Sequence, residues 1–388
     1  MVSETTRYVH GGDLKDQYGS IVAPIYTSTV YEYIDDESSV KDERGITIKY
    51  GREENPTVRS LERLIAALEE APDALAFNSG MSAISTLLLS TLRRGARILI
   101  LKEMYSTTIQ IVDELSSIVG AQVTTVYPST SSIIDELSRS RYDMALIEVM
   151  TNPTLKVIDI VEVSKAARDL GVKLMVDNTF TTPYLVKPVK LGATASIHST
   201  TKYISGHNDT VGGAIAAGPE LARDLWEWRR KLGTIQQPFE AYLTIRGAKT
   251  MPMRFEHQSK AALQLAEFLK DSSKVIEVHY PGLRDDPYHD VARKVFEKDL
   301  YGGVLSFRVK GGVESAKRLL RSLSIARPSP SLGGSETVVT LPALTAAAHI
   351  PPQDRAALGI DESLIRVSVG LEDPQDLVED FGKALESI

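Results

Sequence analysis

The stretch "VEVSKAARDLGVKLMVD", residues 161 to 177, contains one helix and one strand in succession. Its first eleven residues read as a helix that ends at Gly171, and "KLMVD" (173–177) reads as a short, fully apolar strand closed by an acid. Similar apolar runs precede it: "ALAF" (74–77), "RILIL" (97–101) and "MALIEV" (144–149). Upstream, "SLERLIAALEE" places Leu61, Leu64, Ile65 and Leu68 at the i, i+3, i+4, i+7 spacing of a helix packed on one face. Apolar strands alternating with helices predict an α/β fold with a mostly parallel sheet covered by helices. Ligands of such sheets sit at the carboxyl ends of the strands.

Outward from this unit the pattern changes twice. After a largely helical stretch from about Pro219 to Lys270 come "GGVLSFRV", a helix, "LIRVSVG" and a last helix, with Asp373 and Pro374 placed as its N-cap and first residue. A smaller C-terminal α/β domain is expected over residues 251–388, after a large domain over 57–250. Residues 1–56 are rich in Tyr and Gly, lack clear periodicity, and read as an extended arm.

Composition narrows the function classes. The chain has 388 residues and is 43% hydrophobic, with 44 basic residues scattered among 51 acidic ones for a net charge of −7. No basic block offers the footprint that nucleic acid requires. No apolar run approaches the roughly 20 residues that span a bilayer, and "MVSETTRYVHGG" lacks the order of a signal peptide, so a cytoplasmic protein is expected. Cysteine is absent, which leaves Ser, Thr, Lys or a carboxylate as the nucleophile. The seven histidines form no H-x-x-x-H pair, so no metal is expected, and no G-x-G-x-x-G follows the first strand.

Four features fall near strand ends. "FNSGMSAI" turns from a strand into a helix at Asn78-Ser79-Gly80, which suits a phosphate, although most such turns bind nothing. Asp177 ends a buried strand, either as a turn former or as the partner of a cation. Lys202 lies in "HSTTKYISGHNDTVGGA" (198–214) among Ser199, Thr200 and Thr201, either on an ordinary surface turn or as a nucleophile toward a carbonyl. Arg366 sits inside "LIRVSVG", either snorkelling at an edge or clamping a carboxylate. Together, a phosphate cup, an acid, a lysine and a carboxylate clamp are the parts that hold pyridoxal 5'-phosphate (PLP) and an amino acid.

The residues then resemble a known family, the PLP-dependent Cys/Met-metabolism enzymes that include cystathionine γ-synthase, cystathionine γ-lyase and methionine γ-lyase. The likeness runs through "YGREENPT" (50–57), "NSGMSAI" (78–84), "EVMTNPT" (148–154), "VDNTF" (176–180), "HSTTKYISGHND" (198–209), "LGTIQQPFEAYLTIRGAKT" (232–250), "YPGL" (280–283), "PSLGGSET" (330–337) and "IRVSVGLED" (365–373). It implies the fold type I architecture of PLP enzymes. It implies that Lys202 anchors the cofactor covalently and shuttles protons, and that Asp177 holds the pyridine nitrogen. Gly80 and Met81 would offer N–H groups to the phosphate, with hydroxyls from Ser199 and Thr201. Tyr105 would stack on the ring and act as an acid/base, while Arg366, Ser331 and Asn152 bind the substrate carboxylate. Tyr50 and Arg52 would reach a partner subunit's phosphate, which makes residues 1–56 an arm and the protein a dimer with shared sites, paired into a tetramer.

The resemblance further implies γ-replacement or γ-elimination on small amino-acid substrates in transsulfuration: a cystathionine γ-synthase (acyl-homoserine plus cysteine) or γ-lyase first, a methionine γ-lyase or O-acylhomoserine sulfhydrylase next. A non-catalytic PLP-binding regulator on the same fold would keep the cofactor residues and lose Tyr105 and Arg366, which are present. The chain departs from the family pattern at "EVMTNP", which lacks one proline, at Ala346-Ala347 where a Thr-His pair is usual, and at Pro330, often Glu in cystathionine enzymes and apolar in methionine γ-lyases. Methionine γ-lyases tend to carry cysteine where Thr107 stands.

Overall fold

The computed structural model describes residues 2–348 and 350–388. Its larger sheet has seven strands: β1 (Asp73–Phe77), β2 (Arg97–Leu101), β3 (Gln122–Val126), β4 (Met144–Glu148), β5 (Lys173–Asp177), β6 (Ala195–His198) and β7 (Gly213–Ala217), in the spatial order β1-β7-β6-β5-β4-β2-β3. The pairs β2–β3, β2–β4, β4–β5 and β5–β6 are parallel, and only β7 runs antiparallel to its two neighbours. The mostly parallel sheet expected from the apolar runs is thus present. A second sheet contains β8 (Val275–His279), β9 (Val304–Val309), β10 (Arg327–Pro328), β11 (Val338–Thr340) and β12 (Leu364–Ser368) in the order β10-β11-β12-β9-β8. Only its β10–β11 pair is parallel.

Local signals explain why the helices begin where they do. Asn55 accepts hydrogen bonds from the N–H groups of Thr57 and Val58, and Pro56 is the first residue of the helix Pro56–Glu69. Its stripe of Leu61, Leu64, Ile65 and Leu68 is buried in the main core. Asp373 caps the helix Pro374–Glu386 by accepting from Gln375 N–H at 2.8 Å. The helical stretch between the sheets resolves into Pro219–Leu232, Pro238–Ala248 and Met251–Asp271.

The N-terminal segment differs from a wholly extended arm. Residues Glu4–His10 form a helix, and Tyr8 is fully buried in the core of its own chain. Arg7 pairs with Glu70 at 2.7 Å, and Glu4 lies between Lys187 (2.8 Å) and Lys298 (2.5 Å). Seven residues form too short a helix to persist alone, so docking of Tyr8 and these ion pairs supply the stability that periodicity could not reveal. Further on, Tyr18, Ile21, Ile34 and Val40 are largely exposed.

A buried ionic network ties residues 42–54 to the larger sheet. Arg59 bridges Asp73 (2.8 Å) and Glu62 (3.1 Å), Arg44 pairs with Glu54 at 2.5 Å, and the fully buried Arg229 donates to Glu62. Burial opposes ionisation of Glu62, yet Arg229, Arg44 and Arg59 hold its carboxyl below the usual range.

β7, "GAIAA", begins at a glycine that meets other backbone closely. A Cβ on Gly213 would lie 2.2 Å from the carbonyl oxygen of Ser79. Backbone cannot yield as a flexible side chain does. Gly213→Ala is therefore expected to destabilise the protein by about 1–3 kcal/mol, seen as a lower Tm, with weaker retention of any ligand held at the Ser79 turn; an unchanged Tm would show that the strand shifts freely.

Candidate active site

The carboxyl ends of β4 and β5, the turn after β1 and the loop after β6 converge on one cavity of about 540 Å³, the size of a small-molecule site. Gly80, Met81, Tyr105, Asn152, Asp177, Ser199, Thr201, Lys202, Ser331 and Arg366 all line it. Tyr50 and Arg52 do not. The Arg52 guanidinium instead lies 5.2 Å from the Tyr50 ring centre and donates to the Arg230 carbonyl.

The anion end of the cavity is the start of the helix Gly80–Thr91. Ser79 caps it by accepting from Ser82 N–H at 3.0 Å, while Ser82 Oγ accepts from Ser79 N–H at 3.0 Å, a capping box. This leaves the N–H groups of Gly80 and Met81 at the positive end of a twelve-residue helix. A Cβ on Gly80 would come within 2.9 Å of Ser199 Cβ, so glycine lets the helix terminus and the Ser199 loop form one cradle. Thr201 Oγ1 is engaged with Gly212, accepting from its N–H at 3.0 Å, which fixes the loop between β6 and β7.

Lys202 follows on that loop, its Nζ donating to Ser331 Oγ at 2.8 Å. Burial, and then the nearby charge of Arg366, lower its amine to about 8. Asp177 accepts from Thr179 N–H at 3.0 Å, and Thr179 Oγ1 in turn accepts from Ser199 N–H at 2.9 Å. Burial pushes the Asp177 carboxyl up, partly offset by Thr179 and by the charge of His198. No cation of the chain pairs with Asp177 among the described residues, so a protonated ring nitrogen would supply what it lacks.

Arg366 on β12 crosses from the second sheet. Its Nη1 donates to Asn152 Oδ1 at 3.0 Å and its Nη2 to the Ser331 carbonyl at 2.6 Å, while Nε is buried without a partner. Ser331 has φ of 87°, a left-handed conformation that costs a non-glycine residue about 1–3 kcal/mol. That strain aims its hydroxyl at Lys202 and its carbonyl at Arg366. Burial lowers Arg366 to about 10, and no carboxylate pairs with it among the described residues. Arg366 is buried on an inner strand and is thus not a snorkelling edge residue.

The cavity also takes in residues the sequence reading did not single out, including Glu148, Thr179, Phe180 and Thr345. Glu148 closes the apolar strand β4 as Asp177 closes β5, and that shared signal would have found it. Pro330, Thr107 and Ala346 line the cavity too. Ala347 does not; it packs with Ile350, Leu358, Ile360 and Leu364 in a small separate cluster. A larger open depression of about 1360 Å³ near residues 259–301 is lined by charges that pair with each other, such as Lys270 with Asp285 at 2.6 Å.

The family described as Cys/Met metabolism PLP-dependent enzyme matches residues 5–386. The chain belongs to that family. It is 38% identical to the cystathionine gamma-lyase of Saccharomyces cerevisiae, over 98% of this chain and 96% of that one. It is 37% identical to an L-methionine gamma-lyase of Fusobacterium nucleatum, over 99% and 98%. The crystal structure of cystathionine gamma synthase from Xanthomonas oryzae, in complex with aminoacrylate and cysteine, superposes with a TM-score of 0.92 at 32% identity, covering 100% of this chain and 98% of that one. Fold type I is therefore the architecture of this Cys/Met-metabolism enzyme, and PLP its cofactor. The donor set fits: free helix N–H groups for a phosphate, an unpaired acid, and an amine lowered to about 8. No helix among the described residues is long and apolar enough to cross a membrane.

Proposed function

We propose that this Cys/Met-metabolism enzyme acts at Cγ of amino acids derived from homoserine, as a cystathionine γ-lyase or γ-synthase. The observation that carries this reading is the buried, unpaired Arg366 guanidinium within the same cavity as Lys202 and Tyr105. A buried cation without a carboxylate is costly unless a ligand brings one. Arg366, held by Asn152 and Ser331, would fix the substrate α-carboxylate.

PLP supplies a conjugated ring that withdraws electrons from Cα. Gly80, Met81, Ser199 and Thr201 would hold its phosphate, and Asp177 its ring nitrogen. Lys202 Nζ, free of the cofactor once an amino acid is bound, would take the proton from Cα and move it between neighbouring carbons. Tyr105 Oη, partly exposed at the cavity mouth, would exchange a proton with the group leaving from or adding to Cγ. A thiol returning to Cγ gives replacement, whereas water completes elimination.

A second reading, methionine γ-lyase, is favoured by Pro330 and Ala346, which give the wall near Ser331 no charge for a distal amino group. Mass spectrometry of products from O-succinyl- or O-acetylhomoserine with and without cysteine, and from cystathionine and methionine alone, separates these. Cystathionine appearing only with cysteine supports the synthase. 2-Oxobutyrate from cystathionine supports the γ-lyase, and 2-oxobutyrate from methionine in preference to cystathionine the second reading. No product from any of them defeats the proposal.

The exposed Ile21, Ile34 and Val40, and the position of Tyr50 and Arg52 outside their own cavity, support a dimer in which this arm completes the partner's phosphate cradle. Arg52→Ala is expected to weaken cofactor retention. Mixed dimers of Arg52→Ala with Lys202→Ala subunits should recover about one competent site of two, because one site then holds both native residues. Mixed dimers without activity would show that sites are not shared.

A further inference from the structure

Glu148 and Asp177 are register partners at the ends of the parallel strands β4 and β5, and both line the cavity. Glu148 is 6% exposed. Its Oε1 accepts from the Tyr105 backbone N–H at 2.8 Å, and its Oε2 is buried with no partner. No cation pairs with either carboxyl among the described residues. The cations of the cavity, Lys202 and Arg366, are held by Ser331 and by Asn152 and Ser331, and Lys156 is bound to Glu103 at 2.7 Å.

Glu148 is buried and Asp177 partly buried at neighbouring register positions, and the cofactor's ring nitrogen brings at most one cation to the pair, so one of the two carboxyls takes the proton. Asp177 has the better claim to the charge. It accepts from Thr179 N–H and its charge is favoured by His198, whereas Glu148, although the backbone N–H groups of Tyr105 and Asn152 favour its charge, is opposed by Asp177 on β5 and by Glu103 after β2. Burial, and then the charge of Asp177, push the Glu148 carboxyl well above its ordinary range.

We propose that Glu148 is a further positioning residue of the cofactor site: a neutral carboxylic acid whose Oε1 fixes the Tyr105 backbone and whose buried Oε2 carries the proton, which leaves the negative charge of the pair on Asp177. The assignment rests on the reading of Asp177 as the partner of the cofactor's ring nitrogen. A neutral Glu148 places no second negative charge beside Asp177, and its Oε1 holds the Tyr105 backbone where Tyr105 lines the cavity.

Glutamine reproduces a neutral acid, since its amide oxygen accepts from Tyr105 N–H and its NH₂ donates where Oε2–H did. The test compares E148Q and E148A holoenzymes without substrate, by infrared and visible spectroscopy, and then by kcat and KM. Wild type is expected to show at neutral pH a protonated-carboxyl stretching band that shifts in D₂O and is absent from E148Q. E148Q should keep the wild-type cofactor band across pH and its retention on dialysis within about twofold. E148A, which leaves the Tyr105 N–H without its partner, should lower kcat roughly 5- to 150-fold with little change in KM, the cost of one buried hydrogen bond.

Absence of that infrared band, or an E148Q as impaired as E148A, would overturn the neutral acid. An E148A with wild-type kcat and spectrum would overturn the positioning role. If E148A fails to fold, the E148Q spectra still decide. The spectra need no substrate, so a wrong substrate reading leaves this test intact.

Discussion

Lys202→Ala protein is expected to emerge from dialysis colourless, while wild type keeps its visible cofactor band. Turnover should fall by on the order of 10⁴-fold, because in the proposed mechanism one side chain both anchors the cofactor and moves the substrate proton. The structure adds a pH dependence to this. Burial, assisted by the charge of Arg366, lowers the Lys202 amine to about 8. The neutral amine is the nucleophile, so capture of PLP by the apoprotein should accelerate as pH rises through about 8 and level off above it. Stopped-flow absorbance on the apoprotein measures this. A capture rate that keeps rising through pH 10 would show that the cavity does not depress the lysine, and retention of the band by Lys202→Ala would remove it as the anchor.

Arg366→Ala separates substrate binding from cofactor binding. Loss of one partner of a buried charge pair costs about 2–5 kcal/mol, so kcat/KM should drop roughly 30- to several-thousand-fold with the visible band retained. KM carries the larger share, because a carboxylate bound equally in ground and transition states contributes to affinity. Lysine at this position should restore little, since it cannot present the fork that Asn152 and Ser331 now orient. The same substitution removes a positive charge beside Lys202, so the midpoint of cofactor capture should move to higher pH. An unchanged KM would exclude Arg366 as the carboxylate clamp.

Much of this arrangement was legible in the sequence because its elements are locally encoded. The run closing at Glu148 is buried throughout and the run closing at Asp177 is buried over residues 174–176, and strand residues buried on both faces must be apolar. The helix at Pro56 announced itself by Asn55, Pro56 and its leucine stripe. The strands that escaped notice have physical reasons for doing so. β3, "QVTTV", is an edge strand with only partial burial, and β7, "GAIAA", has few large side chains and starts at Gly213, on which the Ser79 backbone presses. The helix Glu4–His10 was hidden because Tyr8 and ion pairs to Lys187 and Lys298 stabilise it from far along the chain.

The site divides in the same way. Lys202, Asp177 and Gly80 lie in motifs that carry their chemistry with them. The clamp proposed at Arg366 is different, since its fork is set by Asn152, 214 residues away, and by the carbonyl of the strained Ser331. Glu148 went unread because its importance depends on what stands opposite, and a strand register is not written in either strand alone. Ala347 shows the converse: neighbouring positions 346 and 347 look alike in sequence, yet only the first faces the cavity.

The bond that spans those 214 residues also bears on how the protein is made. Arg366 can reach Asn152 and Ser331 only when both sheets have formed and met, and Lys202 finds Ser331 across another 129 residues. Contacts so distant along the chain close late, after the entropy of the intervening loops has been overcome. A ribosome must therefore release almost the entire polypeptide before the site exists, and colour in a refolding solution becomes a clock for the last step of assembly.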